Sequence, residues 1–162
     1  MDILRTASEV LALQYKKMKS RELQILSRLN RYDETLQLNP SEYEYCRFDA
    51  WSEKYIVEIK ARNKYYKELM IEFDKYAFNS KYAENNGKEF LYINEMAGNI
   101  YIFNISQIDL KFHNYKWEWR EMPKTSEFEN KNKMPKYVGY IPIDFANFTF
   151  NEDYKRISIK GV

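Results

Sequence analysis

The chain has 162 residues, of which 44% are hydrophobic, 31% charged and 17% aromatic, and its formal net charge is +2. This is enough apolar sequence for the core of one ordinary domain, so a disordered tail is excluded. Four glycines and four prolines exclude collagen-like and linker-like chains, and no GxGxxG or GxxxxGK[ST] phosphate loop occurs. Because no apolar run approaches the ~20 residues that cross a bilayer, and no secretion signal is visible, we expect a cytoplasmic protein without a membrane partner.

The patterns of apolar residues predict a series of elements along the chain. In chain order these are one long helix or two abutting helices over residues 8–31, a strand over 43–48, a strand over 55–61, a helix over 63–83, a hairpin of strands over 89–95 and 99–105, a strand over 111–122, a polar loop over 123–136, and short strands over 137–143 and 145–150. This order predicts a single α/β domain over residues 1–162, with a mixed sheet flanked by helices.

The cysteine and histidine counts restrict the chemistry of any active site. With Cys46 as the one cysteine and His113 as the one histidine, neither an intrachain disulfide nor a closed His/Cys zinc site is available. A triad mechanism would depend entirely on His113, whose neighbours form no nucleophile motif. An enzyme with this sequence must therefore use Asp, Glu and Lys, together with a hard metal ion.

Charged residues interrupt an apolar strand near the middle of the chain. Residues 55–61 (YIVEIKA) alternate so that Glu58 and Lys60 share one face, where charges are costly unless they are paired or bind a metal. Asp49 precedes this strand by a short connection, which folds the chain back and brings its carboxylate towards Glu58. Two carboxylates with a backbone carbonyl suit Mg²⁺, and Lys60 is placed to activate water or stabilise the charge that develops on phosphorus.

Asp49, Glu58, Ile59 and Lys60 resemble the active-site motif of the PD-(D/E)XK nuclease superfamily, which includes restriction endonucleases, Holliday-junction resolvases and repair nucleases. Phe48 departs from that motif, because it replaces the proline in the motif's name. The resemblance covers about residues 20–106. It implies a restriction-endonuclease-like core over residues 32–106, between an N-terminal helical segment (1–31) and a β-rich, aromatic-rich C-terminal extension (107–162).

The resemblance also implies a third acidic ligand on the first helix. Glu22 precedes the first predicted strand at the corresponding place, and Glu9 or Glu44 would be the alternatives. The expected metal ligands are therefore Asp49, Glu58 and Glu22, and the expected catalytic residues are Asp49, Glu58 and Lys60.

The sequence thus predicts a Mg²⁺-dependent nuclease, with Mn²⁺ as a substitute, that hydrolyses phosphodiester bonds in branched or duplex DNA. A homodimer would suit an enzyme that cuts both strands. The high Asn, Lys, Ile and Tyr content suits an AT-rich genome such as that of a phage, whose product would act in the host cytoplasm. The alternative is a non-catalytic nucleic-acid-binding or assembly protein that retains a nuclease-like fold, and a third possibility is a structural protein whose C-terminal third binds a partner.

Three lysines of the predicted helix over residues 63–83 are candidate phosphate contacts. Lys64, Lys67 and Lys75 fall on the arc opposite the apolar one, which would place them beside the predicted site. The alternative is an ordinary solvated helix face that carries an i,i+4 pair between Lys64 and Glu68.

Overall fold

The computed structural model describes residues 20–42, 46–111, 115–124, 132–151 and 156–159. The elements divide into three α-helices, ten strands and one short 3₁₀ helix within these ranges. In chain order they are α1 (Ser20–Tyr32), β1 (Asn39–Pro40), β2 (Ala50–Trp51), β3 (Tyr55–Ala61), β4 (Glu68–Glu72), α2 (Phe73–Asn85), β5 (Glu89–Met96), β6 (Asn99–Asn104), α3 (Ile105–Lys111), β7 (Lys116–Pro123), β8 (Lys133–Pro142), the 3₁₀ helix (Ile143–Phe145), β9 (Phe148–Phe150) and β10 (Arg156–Ile159).

The predicted mixed α/β class is confirmed by a seven-stranded sheet, in the order β1-β2-β3-β5-β6-β9-β10. Strands β3 and β5 run parallel, in a register that pairs Glu58 with Tyr92, and the other neighbours are antiparallel. The predicted hairpin of β5 and β6 is present, with Ala97 at φ 49° and Gly98 at φ 80° in its turn. Two consecutive positive φ angles are typical of the tight turns whose twist matches that of the strands.

A second, antiparallel sheet has the order β4-β8-β7. Strand β4 pairs with β8 from Glu68 opposite Pro142 to Glu72 opposite Val138. Gly139 of β8 lies beneath the Trp117 ring, and a Cβ at this position would come within 2.7 Å of the ring. The glycine therefore leaves room for a tryptophan to cover this strand.

The two faces of the main sheet bury different clusters. On one face, Ile25 and Leu29 of α1 pack against Val57 and Ile59 of β3, with matching residues of β5 and β6. On the other face, Ile56 joins side chains from α2, α3 and the second sheet. Full burial of each such aliphatic side chain stabilises the fold by about 1.5–3 kcal/mol. Because residues alternate along β3, Glu58 and Lys60 lie on the face of Ile56, away from α1.

Two of the elements predicted before residue 84 are wrong in part. The helix predicted over residues 63–83 begins only at Phe73, because Glu68–Glu72 forms strand β4 against β8. The strand predicted over 43–48 is absent from the described residues 46–48, and the chain becomes a strand only at Ala50. In the first case, the partner strand is some seventy residues away and overrides the helical periodicity of the local sequence.

The C-terminal third is rich in strands, as expected, but its strands complete the two sheets. Strand β9 pairs with β6 of the main sheet, and β8 pairs with β4 of the second sheet. The predicted strand over 111–122 begins only at Lys116, and the predicted loop over 123–136 overlaps the ends of β7 and β8. None of the helices in the described part of the chain is long and apolar enough to span a bilayer.

Several predicted features lie outside the described residues. These are residues 8–19 of the first helix, together with Glu9, Glu44 and His113.

Candidate functional site

Strand β3 places a fully buried carboxylate beside two lysines. Glu58 has no exposed surface, and Lys60 on the same face lies with its Nζ 3.3 Å from Glu58 Oε1. The predicted sharing of one face by Glu58 and Lys60 is therefore confirmed. Lys75 reaches the same oxygen from α2, with its Nζ donating to Glu58 Oε1 at 2.5 Å.

The second oxygen of Glu58 has a different environment. Oε2 is buried and has no hydrogen-bond partner in the described part of the molecule, although two ammonium groups approach Oε1. Buried polar atoms are nearly always paired, and an unpaired carboxylate oxygen is strongly destabilising in a folded core. Such an atom is typical of a position that accepts a water molecule or a cation.

Asp49 lies beside the same stretch of β3. Its side chain is buried, and Oδ2 accepts a hydrogen bond of 2.8 Å from the backbone N–H of Ile59. The backbone N–H of Asp49 donates to the Val57 carbonyl at 2.8 Å, which fixes the residue at the point where the chain enters β2. The carboxylate of Asp49 therefore lies against the backbone between Glu58 and Lys60.

The charges of this cluster shift the pKa values of its members. Burial raises the pKa of the Glu58 carboxyl, and the negative charge of Asp49 raises it further, whereas Lys60 and Lys75 lower it. Burial alone would lower the pKa of Lys60, but the nearby Glu58, with smaller contributions from Tyr92 and Asp49, raises it above its usual range. Lys60 therefore stays protonated. The pKa of Glu58 depends on how many cations lie beside its carboxylate.

A cavity of about 180 Å³ opens above Glu58. Three cationic side chains and two carboxylates contribute to its lining, together with one tyrosine. They are Glu58, Lys60, Arg62, Glu72, Lys75 and Tyr92. A concave surface that carries three cations and has a carboxylate at its base suits a phosphate group that is held through a divalent ion.

Arg62 is held rigidly at the edge of this cavity. Its Nε donates to Asn94 Oδ1 at 2.7 Å, and its Nη2 donates to the Met70 carbonyl and to Tyr92 Oη, both at 2.9 Å. The Tyr92 hydroxyl donates in turn to the Met70 carbonyl at 2.7 Å. This network joins the residue that follows β3 to β4 and β5 and fixes one wall of the cavity.

The predicted site residues have different outcomes. Asp49, Glu58 and Lys60 lie together, as described above. Glu22 is on α1, which packs on the opposite face of the sheet, and the described residues contain no group of three or more His, Cys, Asp or Glu side chains that could hold a metal ion. The structure therefore does not bring Glu22 together with Asp49 and Glu58.

The three predicted phosphate-binding lysines are not on one helix face. Lys64 and Lys67 are exposed in the connection between β3 and β4, next to Arg62, rather than in a helix. Lys75 is in α2, as predicted, but it turns inward to Glu58 instead of lying on a solvated arc. The prediction of a helix was wrong for the first two positions, because β4 replaces the first turns of that helix.

Of the polar residues that line the cavity, sequence reasoning missed three: Arg62, Glu72 and Tyr92. Tyr92 was indistinguishable from an ordinary core aromatic, although it and Asn94 carry polar groups in the buried middle of strand β5. Their pairing with Glu58 and Lys60 follows from the parallel register of β3 and β5, which requires the tertiary structure.

Comparisons with known proteins add no identification. No protein-family model, no curated protein and no solved structure matches the chain.

Proposed function

We propose that the protein is a Mg²⁺-dependent nuclease of the PD-(D/E)XK type, with a restriction-endonuclease-like core, that hydrolyses phosphodiester bonds in DNA. The observation that carries the proposal is the pair of buried carboxylates, Asp49 and Glu58, beside a lysine. Glu58 Oε2 has no donor within the described residues, so the arrangement has room for one more cation.

Two protein carboxylates are sufficient for this ion. Mg²⁺ keeps several of its waters and is usually bound through one or two carboxylates together with substrate phosphate oxygens, so no third acidic residue is required. Asp49 and Glu58 would be the ligands, together with a backbone carbonyl of β3, and Mn²⁺ would substitute. When bound, the ion would polarise the phosphate and lower the pKa of the attacking water.

The cations of the site have distinct roles in this proposal. Lys60 orients the attacking water and stabilises the charge that develops on the phosphate oxygens. Lys75 shields Glu58 in the absence of metal and is free to turn to a phosphate oxygen once Glu58 is otherwise neutralised. Lys64 and Lys67 contact flanking phosphates, from an exposed connection that leads directly out of the cavity.

One observation favours the alternative function, a non-catalytic nucleic-acid-binding protein. Lys60 and Lys75 together already balance the charge of Glu58. Such a site would bind a phosphate group through its cations without hydrolysing it, and its DNA affinity would depend steeply on salt but not on Mg²⁺.

A cleavage assay separates the two functions. Supercoiled plasmid, a four-way junction and a single strand are each incubated with the protein in Mg²⁺, in Mn²⁺ and in EDTA. We expect cleavage only with metal, and losses of at least about a hundredfold for Asp49→Asn, Glu58→Gln and Lys60→Ala. Lys81→Ala, at an exposed lysine of α2, is the matched control and should retain full activity.

If the wild type cleaves none of these substrates in either metal, the nuclease proposal fails. Salt-dependent binding without cleavage would then select the non-catalytic function.

A further inference from the structure

A second and larger cavity, of about 490 Å³, adjoins the candidate site. Four of its lining residues are aromatic, and three of these are more than a third exposed: Trp51 at 39%, Phe78 at 37% and Tyr82 at 36%. Phe48 and Ile56 form its buried wall. Exposed aromatic rings in a concave surface are unusual in a protein without a ligand there, because their burial would be favourable.

The two cavities are consecutive along the same two elements. On β3, Ile56 lines this second cavity, called the aromatic cavity below. Glu58, two residues further along the same face, lines the smaller cavity of the candidate site. On α2, Phe78 lines the aromatic cavity and Lys75 lines the smaller one. The two residues are three apart and are therefore neighbours on one surface of the helix. Two residues of a strand span about 6.6 Å, so a group in the aromatic cavity lies about one nucleotide away from a phosphate at Glu58.

The rings offer a flat aromatic surface to a planar ligand. Phe78 and Tyr82 stack on each other, with ring centroids 5.9 Å apart and an interplanar angle of 24°, and Trp51 contributes a further ring to the lining. Aromatic faces of this kind bind unpaired bases by stacking, without preference for one base. A base within an intact duplex could not stack here, because both of its faces are already covered by the neighbouring base pairs.

The charges at this cavity fit a nucleic-acid strand. The exposed Arg47 guanidinium lies over the Phe78 ring, 5.0 Å from its centre. A base that stacks on this face would displace the guanidinium outward, where it can contact the adjoining phosphate. Lys88 adds a second positive charge near Trp51, although its Nζ also donates to the carbonyls of Ser52 and Glu53. Glu42 contributes the one opposing charge among the lining residues.

We propose that this aromatic cavity holds an unpaired DNA base next to the phosphate that is cut, so that the substrate is DNA with a single-stranded segment, such as a fork, flap or junction. This inference rests on the proposed nuclease function, because it assigns the substrate of the same site. It predicts that substrate selection resides in Trp51, Phe78 and Tyr82 rather than in the carboxylates.

The test measures binding without cleavage, by fluorescence anisotropy in EDTA. The probes are a fluorescein-labelled fork with two oligo-dT arms and a blunt duplex with the same paired sequence. We expect the wild type to prefer the fork, and Phe78→Ala and Trp51→Ala to weaken fork binding about five- to a hundredfold, the range for removal of one stacking interaction. Duplex binding should not change.

Trp119→Ala is the matched control, because Trp119 is the most exposed tryptophan among the described residues, at 69%, and lies in the second sheet. Its fork affinity should equal that of the wild type. A thermal melt verifies that each variant is folded. Substitutions at these exposed positions should not disturb the fold.

Two further measurements make the assignment specific. An abasic residue in the arm next to the junction should weaken wild-type binding but should not weaken Phe78→Ala any further, because the stacking partner is then already absent. Arg47→Gln should reduce the slope of log affinity against log salt by about 0.7, the value for one phosphate contact in a single strand.

Equal affinity of the wild type for fork and duplex overturns the inference, as does an equal loss of fork affinity in Trp119→Ala. These outcomes are independent of the nuclease proposal, because no metal or cleavage is involved. If the wild type prefers the fork through Phe78 but cleaves nothing in Mg²⁺ or Mn²⁺, the base site stands and the nuclease function fails.

Discussion

Lys75 of helix α2 donates a hydrogen bond of 2.5 Å to Oε1 of Glu58 on strand β3, and this contact fastens the helix to the candidate site. Lys60 approaches the same oxygen, whereas Oε2 has no partner in the described part of the chain. Oε1 of Glu58 is therefore paired with two ammonium groups, whereas the buried Oε2 is the oxygen at which the proposed metal ion would bind. This asymmetry, together with the position of Asp49, determines how the protein should respond to substitution and to metal.

Replacing Asp49 with Asn should leave the metal-free protein as stable as the wild type, or more stable. The substitution removes a negative charge near Glu58 at almost constant volume, and the Asn side-chain oxygen can still accept the Ile59 N–H bond. Stabilisation by millimolar Mg²⁺ should disappear, because the ion then lacks one of its ligands. Thermal melts with and without Mg²⁺ measure both effects.

Glu53→Gln, at an exposed carboxylate, is the control for Asp49→Asn and should still be stabilised by Mg²⁺. A purely structural ion-pair cluster predicts the opposite pattern for the site. Asp49→Asn and Lys60→Ala would then both lower the melting temperature, and Mg²⁺ would affect neither.

Replacing Lys75 with Met should destabilise the metal-free protein but enlarge its stabilisation by Mg²⁺. Glu58 loses one of its two cations, and leaving a buried carboxylate short of a partner costs about 1–3 kcal/mol. A divalent ion then no longer competes with the ammonium group. Urea unfolding at several Mg²⁺ concentrations gives both quantities.

Lys81→Met is the control on the same helix, because Lys81 is exposed. It should behave as the wild type at every Mg²⁺ concentration. A smaller Mg²⁺ effect in Lys75→Met than in the wild type would show that Lys75 does not compete with a metal at Glu58.

The sequence was sufficient for the local part of the site and insufficient for the part that depends on distant strands. Glu58 and Lys60 could be placed on one face because alternation along β3 requires no knowledge of its neighbours. By contrast, the stretch before Phe73 has helical periodicity, yet it pairs with β8 near Gly139, far along the chain. The missed Tyr92 was hidden for the same reason, since only the β3–β5 register brings it to Glu58.

The double variant Lys64→Gln/Lys67→Gln should bind duplex DNA more weakly and with a smaller dependence on salt. Both lysines are exposed beside the cavity, and removing one lysine–phosphate interaction lowers the slope of log affinity against log salt by about 0.9. Anisotropy titrations over a range of salt concentrations measure the slope. Lys81→Gln/Lys133→Gln, which removes the same charge elsewhere, should retain a slope closer to that of the wild type, and equal slopes for the two double variants would refute the assignment.

A tyrosine pair makes the stability of the fold sensitive to alkaline pH. Tyr76 and Tyr115 donate to the two carboxylate oxygens of Asp109 at 2.7 and 2.8 Å, and burial, together with Asp109, raises both phenol pKa values well above their usual range. Above pH 10.0, the unfolded chain loses the phenol protons that the folded protein keeps. The stabilisation by this pair is therefore complete below pH 10 and is lost as the pH rises further.

At neutral pH, Tyr115→Phe should be about 1 kcal/mol less stable than the wild type, because it lacks the hydrogen bond to Asp109. Above pH 10, its free energy of unfolding should decline less steeply than that of the wild type. The slope of unfolding free energy against pH should fall by up to about 1.4 kcal/mol per pH unit, because one tyrosine fewer ionises on unfolding. Urea titrations at a series of pH values measure the slope. Tyr65→Phe, at an exposed tyrosine, is the control, and a slope in Tyr115→Phe equal to the wild type would contradict the role of this pair.

The most direct test of the metal site is anomalous diffraction from crystals soaked in Mn²⁺. We expect one peak within about 2.0–2.6 Å of carboxylate oxygens of both Asp49 and Glu58, including Glu58 Oε2, and its loss in Asp49→Asn crystals that are soaked in the same way. A wild-type map without a peak at these carboxylates, or a peak that persists unchanged in Asp49→Asn, would contradict the account.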